Sequence, residues 1–250
     1  MILVLLLGCG FGWVAHIIHK ARLQREAVAV IERADGFVLY DWEWKDGTFR
    51  RGRPWWPRWL EYRLGTDYLS SVVYVDFLDG ISDAKREMVG RLPGLETLGY
   101  SESSVTDAGL AHLQGLTRLK KLDLHDTEVT DAGLVYPGGL KGLQQLDLSG
   151  TAIADAGLIH LRGLMGLQEL DLSRTPITDA GLVHLEGLRG LRILGLRDTE
   201  VTEAGVVHLK KLTNLRSLDL YGTTVDDFAA QELRRALPRA KVIFTSIQAQ

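Results

Sequence analysis

Threonine returns every 24 residues through the second half of this chain, at Thr127, Thr151, Thr175, Thr199 and Thr223. An acidic residue keeps the same interval at Asp107, Asp131, Asp155, Asp179 and Glu203, each opening an acid-Ala-Gly-apolar stretch. The unit reads L-x-x-L-x-L-x-x-T-x-V-T-D-A-G-L-x-H-L-x-x-L. Its leucine triplet stands at Leu119-Leu122-Leu124 and recurs at 143-146-148, 167-170-172, 191-194-196 and 215-218-220. A fixed period of this length restricts the chain to a stacked-repeat architecture. Looking backward, Leu95-Leu98-Tyr100 and Val72-Val75-Phe77 fit at 24 and 23 residues, and Val242 and Phe244 suggest a closing strand. The expectation is an α/β solenoid with about eight parallel strands.

Each column of the repeat has a physical reading. In L-x-L the leucines point inward and the residue between them points out, because successive strand side chains alternate. A parallel stack needs a return path, supplied as a short helix by T-D-A-G-L-x-H-L. Thr106, Thr130, Thr178 and Thr202 sit where an N-cap hydroxyl belongs, and the following acid complements the helix dipole. The small Ala-Gly pair is expected to let the helix approach the strand layer. The Thr127 column is expected to bond turn backbone that otherwise lacks a partner. One unit cannot bury its own apolar face, so stability must come from neighbours. Two units depart from the pattern. Tyr136-Pro137 replaces His-Leu and should disrupt that return helix. The last unit, from Asp226, carries a longer helix and then Pro238, as a capping repeat should.

The first eighteen residues, MILVLLLGCGFGWVAHII, carry no formal charge. As a helix they would measure about 27 Å, near the roughly 30 Å of a hydrocarbon core. Lys20, Arg22 and Arg25 follow directly. Residues 1–19 therefore read as a transmembrane helix of a single-pass protein, and the basic flank favours the cytoplasmic side for the rest without fixing it. A cleaved signal peptide would need a basic start, which is absent here. Leu6-Leu7-Gly8-Cys9 looks like a lipidation box but has only eight residues before the cysteine and the same missing basic start.

Residues 20–70 form a second unit. Lys20 to Ala34 reads as a helix with Leu23, Ala27, Val30 and Ile31 along one stripe. Phe37 to Trp44 alternates as a strand, with Tyr40, Trp42 and Trp44 on one face. Asp46-Gly47 is a hairpin turn leading back into Thr48 and Phe49. Five of the six tryptophans then lie between positions 42 and 59, interleaved with arginines. Trp55, Trp56, Trp59, Arg50, Arg51, Arg53 and Arg58 could lie at a membrane interface, where tryptophan meets headgroups and arginine meets phosphate. The plainer reading is that these aromatics cover the open N-terminal end of the stack, which needs an apolar cap. The domain plan is 1–19 span, 20–70 juxtamembrane cap, 71–237 repeats, and 238–250 closing strand and tail.

Charge excludes little but excludes it clearly. Net charge is −3, with 13 Lys/Arg against 12 Asp/Glu in residues 1–91 and 16 against 20 afterwards. A mildly acidic repeat region gives no argument for nucleic acid. Cys9 is the sole cysteine, so no internal disulfide or thiolate metal site can form. His112, His160, His184 and His208 make a ladder on the return segments, too widely spaced for more than two to share one metal. No nucleophile motif, phosphate loop or metalloprotease motif is present. No catalytic residue, metal, cofactor or small-molecule substrate is expected. Outward strand positions collect the remaining interest. Asp123, Asp147, Asp171 and Asp219 share one column with Asp76, interrupted by Gly99 and Gly195. Lys121, Gln145 and Glu169 flank it on one side, and His125, Arg197 and Tyr221 on the other. Like charges one strand apart repel, which a basic partner or a cation would relieve. The plainer alternative is that Leu-Asp-Leu serves the repeat itself.

These repeats resemble those of bacterial leucine-rich-repeat proteins with T-D-A-G-L units. Those in turn are similar to the repeats of F-box leucine-rich-repeat ubiquitin-ligase adaptors, in which Cys or Asn often fills the Thr column. The resemblance covers about residues 72–244. It implies a leucine-rich-repeat solenoid, with strands on the concave face and short helices on the convex one, that acts as a binding scaffold for a protein partner. Residues 20–70 do not look like the F-box that an adaptor would carry ahead of its repeats. The sequence therefore reads as a membrane-tethered protein-recognition scaffold, or alternatively as an envelope-associated protein touching lipid through its Trp/Arg segment.

Overall fold

The computed structural model describes residues 2–45, 47–50, 54, 56–77, 87–101 and 103–244, with side chains from Val14 onward. A 31-residue helix, α1 (Ile2–Glu32), is followed by β1 (Gly36–Tyr40) and a small hairpin of β2 (Trp44–Lys45) and β3 (Thr48–Phe49). Two short helices come next, α2 (Arg58–Leu64) and α3 (Thr66–Leu69). The stack then runs through β4 (Val72–Phe77), β5 (Thr97–Gly99), β6 (Lys121–Asp123), β7 (Gln145–Asp147), β8 (Glu169–Asp171), β9 (Ile193–Gly195), β10 (Ser217–Leu220) and β11 (Lys241–Phe244). These eight strands are parallel in sequence order, and β1 adds antiparallel to the free edge of β4. The register keeps the 24-residue period: Lys121 faces Gln145, then Glu169, Ile193, Ser217 and Lys241.

The alternation of the strands decides the core. Leu122, Leu146, Leu170, Leu194 and Leu218 are all at most 2% exposed, while Lys121, Gln145, Glu169, Ile193 and Ser217 beside them reach solvent. Burial of each leucine contributes about 1.5–3 kcal/mol relative to exposure. The Thr127 column behaves as its position requires. Thr127, Thr151, Thr199 and Thr223 are buried, and each hydroxyl donates to the carbonyl three residues earlier at 2.6–2.7 Å.

The Asp-Ala-Gly stretch works differently from a simple helix start. Asp155 Oδ1 accepts the amide of Thr178, 23 residues on, at 2.9 Å, and its Oδ2 accepts the Thr178 hydroxyl at 2.6 Å. Asp107 holds Thr130 and Asp179 holds Thr202 in the same way, while Asp131 takes the Ala154 amide. The glycine of each following unit makes room for that carboxylate. A Cβ on Gly181 would stand 2.3 Å from Asp155 Oδ1. The acid is therefore a staple between repeats, and the glycine is its socket. N-capping by threonine occurs at Thr178 and Thr202, which accept from Ala180 and Ala204. The return segments are short stretches of α- or 3₁₀-helix, and Pro137 divides its own into Gly133–Val135 and Pro137–Gly139. The last repeat closes with a ten-residue helix, Asp227–Ala236, capped by Asp226.

The transmembrane helix expected over residues 1–19 is corrected here: among the described residues, no helix is long and apolar enough to cross a membrane. The side chains of residues 1–13 lie outside the described residues. α1 runs unbroken past residue 19 into a charged stretch ending at Glu32. Its second half packs on the solenoid through Ala21, Gln24, Ala27, Val28 and Ile31. With the span falls the expectation of a single-pass membrane protein whose repeats face the cytoplasm. The buried stripe is also rotated from the one read in the sequence, leaving Leu23 and Val30 only half-buried. Gln24 explains the rotation: its carbonyl accepts the Val72 amide at 3.2 Å and its amide donates to Ser70 O at 3.0 Å, tying α1 to the first repeat strand.

The aromatic strand is also shorter than its alternation suggests. β1 ends at Tyr40, residues 41–43 turn, and Trp44 begins the hairpin, so Tyr40, Trp42 and Trp44 do not share one strand face. The hairpin pairs Trp44 with Phe49 and Lys45 with Thr48 as its turn chemistry requires, with Gly47 at φ +77°.

Candidate functional site

The outward columns of β4 to β11 form one open trough. Its N-terminal part encloses about 530 Å³ and is lined by Trp44, Tyr74, Asp76, Thr97, Lys121 and Asp123, among others. Its central part, about 300 Å³, shares Lys121, Asp123 and Gln145 with the first and continues over Asp147, Glu169 and Asp171 to Asp219. Seven of the ten concave residues singled out in the sequence thus line a single surface. His125, Arg197 and Tyr221 stand just beyond it, on the turns that follow the strands. His125 Nδ1 lies 2.9 Å from Asp123 Oδ1. The Arg197 guanidinium sits 4.7 Å above the Tyr221 ring and pairs with Asp198 at 3.2 Å.

The aspartate column has a structural use. Asp123, Asp147, Asp171 and Asp219 each use Oδ1 to accept the amide two residues on, at 2.9–3.2 Å. That is the structural use of Leu-Asp-Leu: the carboxylate turns the chain out of the strand. Where Gly99 and Gly195 interrupt the column, the carboxylate of the preceding strand occupies the space a side chain would take. A Cβ on Gly99 would meet Asp76 Oδ1 at 2.2 Å, and one on Gly195 would meet Asp171 Oδ1 at 2.3 Å. Burial pushes the Asp147 carboxyl above the usual carboxylate range, and the neighbouring Asp171 and Asp123 charges add to the shift. Hydrogen bonds from the Ser149 hydroxyl and amide oppose it.

Asp123, His125 and Asp147 offer metal-ligating atoms within 4.8 Å of one another. The histidine nitrogen already engages Asp123, and Asp147 already engages Ser149, so these groups satisfy one another. On the return segments, His208 pairs with Glu186 at 2.6 Å, while burial lowers the His184 pKa.

Two groups at the trough escaped the sequence reading. Tyr74 pairs in register with Thr97 and thus with Lys121, so the repeat spacing itself could have revealed it. Trp44 arrives from the non-repeating hairpin and packs on Tyr74 at a ring separation of 4.6 Å, which no periodicity could have signalled. Among the described residues of the Trp/Arg segment, burial differs from one to the next. Trp56 is buried with its ring edge-on to Trp42, whereas Arg50, Arg58 and Trp59 are exposed. Arg51, Arg53 and Trp55 lie outside the described residues.

Comparison with known proteins bears on the fold. A leucine-rich-repeat family model matches residues 143–161 and 166–185. No curated protein matches the sequence. Among solved structures, the chain is similar to an internalin (inlF) from Listeria monocytogenes, with a TM-score of 0.56 and 21% identity, over 64% of this chain and 44% of that one. It is also similar to internalin C2 of the same organism, with a TM-score of 0.53 and 22% identity, over 67% of this chain and 78% of that one. The chain therefore spans less than half the length of the first of these relatives. Repeat match, strand register and fold likeness agree that this chain carries leucine-rich repeats and folds as a leucine-rich-repeat solenoid.

Proposed function

We propose that the protein is a recognition scaffold that captures a protein partner on its concave face. One observation supports this reading above others. The inward columns repeat almost the same apolar residues in every unit, whereas the outward column Lys121, Gln145, Glu169, Ile193, Ser217 changes at each step. The uniform columns serve the stack. The varied ones line an open trough that packing does not require, and extended concave surfaces of this kind are what solenoids use to bind.

The test uses the full chain as bait. Gln145→Trp fills the trough from a half-buried outward position without touching the leucine spine. Partner capture, followed by mass spectrometry against the unmodified chain, should be lost while the circular dichroism spectrum is unchanged. Undiminished capture would place the binding surface elsewhere.

A further inference from the structure

We infer that the concave trough binds an extended protein segment bearing Arg or Lys side chains at alternate positions, with the cations over Asp123, Asp147 and Asp171. This rests on the concave-face reading above and specifies its chemistry.

Charge complementarity carries the argument. The central trough is lined by five carboxylates, those of Asp123, Asp147, Glu169, Asp171 and Asp219, against a single cation, Lys121. Nearby, Lys120 pairs with Glu96 at 2.8 Å and Arg197 with Asp198 and the Tyr221 ring, while Lys241 ends the Lys121 column on β11, beyond the three aspartates. Asp123, Asp147 and Asp171 stand on consecutive strands, which sheet geometry separates by about 4.8 Å. Like charges at that spacing repel, and Asp147, whose carboxyl is disfavoured chiefly by burial, feels the Asp171 and Asp123 charges as well. A cation placed between them relieves that repulsion, and arginine can do so with two parallel hydrogen bonds.

Shape selects a chain segment rather than a small cation. The trough is continuous from Tyr74 on β4 to Asp219 on β10, six strand intervals or roughly 29 Å. An extended segment of about nine residues covers that length, and its alternate side chains, nearly 7 Å apart, fall on one face, so that two basic side chains share the roughly 10 Å run of the three aspartates. At the N-terminal end, Trp44 and Tyr74 offer ring faces beside Asp76, which is a second way to hold a cation. The acids therefore do more than turn the chain, since the local turn bonds occupy Oδ1 in each case.

The experiment separates this inference from the reading beneath it. The full chain is immobilised and panned against a library of random dodecapeptides, and enriched peptides are measured by fluorescence anisotropy. The expected result is enrichment of Arg and Lys at alternating positions, with affinity that falls as salt rises. Asp147→Asn with Asp171→Asn, whose side-chain carbonyls can still accept the turn amides, should weaken binding at least about tenfold. Glu203→Gln on the convex side should leave it unchanged. Gln145→Trp should abolish it. Enriched peptides without basic excess that are still blocked by Gln145→Trp would overturn the inference and leave the concave reading standing. Binding indifferent to Gln145→Trp would overturn both. A library that yields no enriched peptide would overturn the inference of an extended segment.

Discussion

Residue by residue, the left-handed turn column is where the chain departs from comfort. Asp126, Gly150, Arg174, Asp198 and Gly222 follow one another at 24-residue intervals with φ between +52° and +75°. Glycine adopts this conformation freely, and aspartate tolerates it, but arginine does not. Arg174→Gly should therefore stabilise the protein by about 1 kcal/mol, offset slightly by loss of an exposed ion pair to Asp126. Chemical denaturation would show this as a raised midpoint with an unchanged slope. The staple supplies a second prediction. Asp155→Ala should cost about 1.5–3 kcal/mol, because a charged acceptor leaves the Thr178 amide and hydroxyl. Gly181→Ala alone should also destabilise, since its Cβ would collide with that same carboxylate. The double variant should lose less than the sum of the two, because the collision disappears with the acid. Simple additivity in that cycle would refute the socket.

At the scale of single elements, inward and outward strand positions make opposite predictions. Leu146→Asp places an unpaired charge in the spine and should cost several kcal/mol, whereas Gln145→Asp, one residue earlier, should be close to neutral. Comparable losses at both positions would invert the assigned faces. The aspartate column adds a pH dependence of defined sign. A carboxyl whose folded pKa lies above its unfolded value opposes folding when ionised, so its cost is present at neutral pH and fades as pH falls toward the carboxylate range. Asp147→Asn should accordingly raise the melting temperature at pH 7 by more than it does near pH 4. Thermal melts across that interval read the difference directly, and a gap that widens on acidification would contradict a carboxylate disfavoured by burial and by its charged neighbours.

Across the whole molecule, stability is a chain of neighbour interfaces with two differently built ends. The N-terminal end is closed by α1 and by β1, which pairs with β4. The C-terminal end carries the Asp227–Ala236 helix and β11. A perturbation at one end should therefore stay there. Gln24→Ala strips the Val72 amide of its acceptor, and hydrogen exchange should accelerate over β1, β4 and β5 while β8 to β10 keep their protection. Uniform acceleration would show that the stack unfolds as one unit.

What could be read from one dimension was whatever the period itself imposes. Eight parallel strands, the inward leucines, the hydroxyls of the Thr127 column and the outward aspartates all follow from 24-residue spacing and strand alternation, since both are local geometry repeated. Tertiary contact decided the rest. The Asp-Ala-Gly acids bond a residue 23 positions away, so their inter-repeat role was invisible from within one unit. The first eighteen residues are apolar enough, taken alone, to read as a span, yet α1 continues past them and turns a polar Gln24 onto β4. Trp44 reaches the trough only because a non-repeating hairpin folds back over Tyr74. Periodic sequence encodes periodic contacts; where the repeat ends, side chains find partners by packing, and only the folded molecule says which.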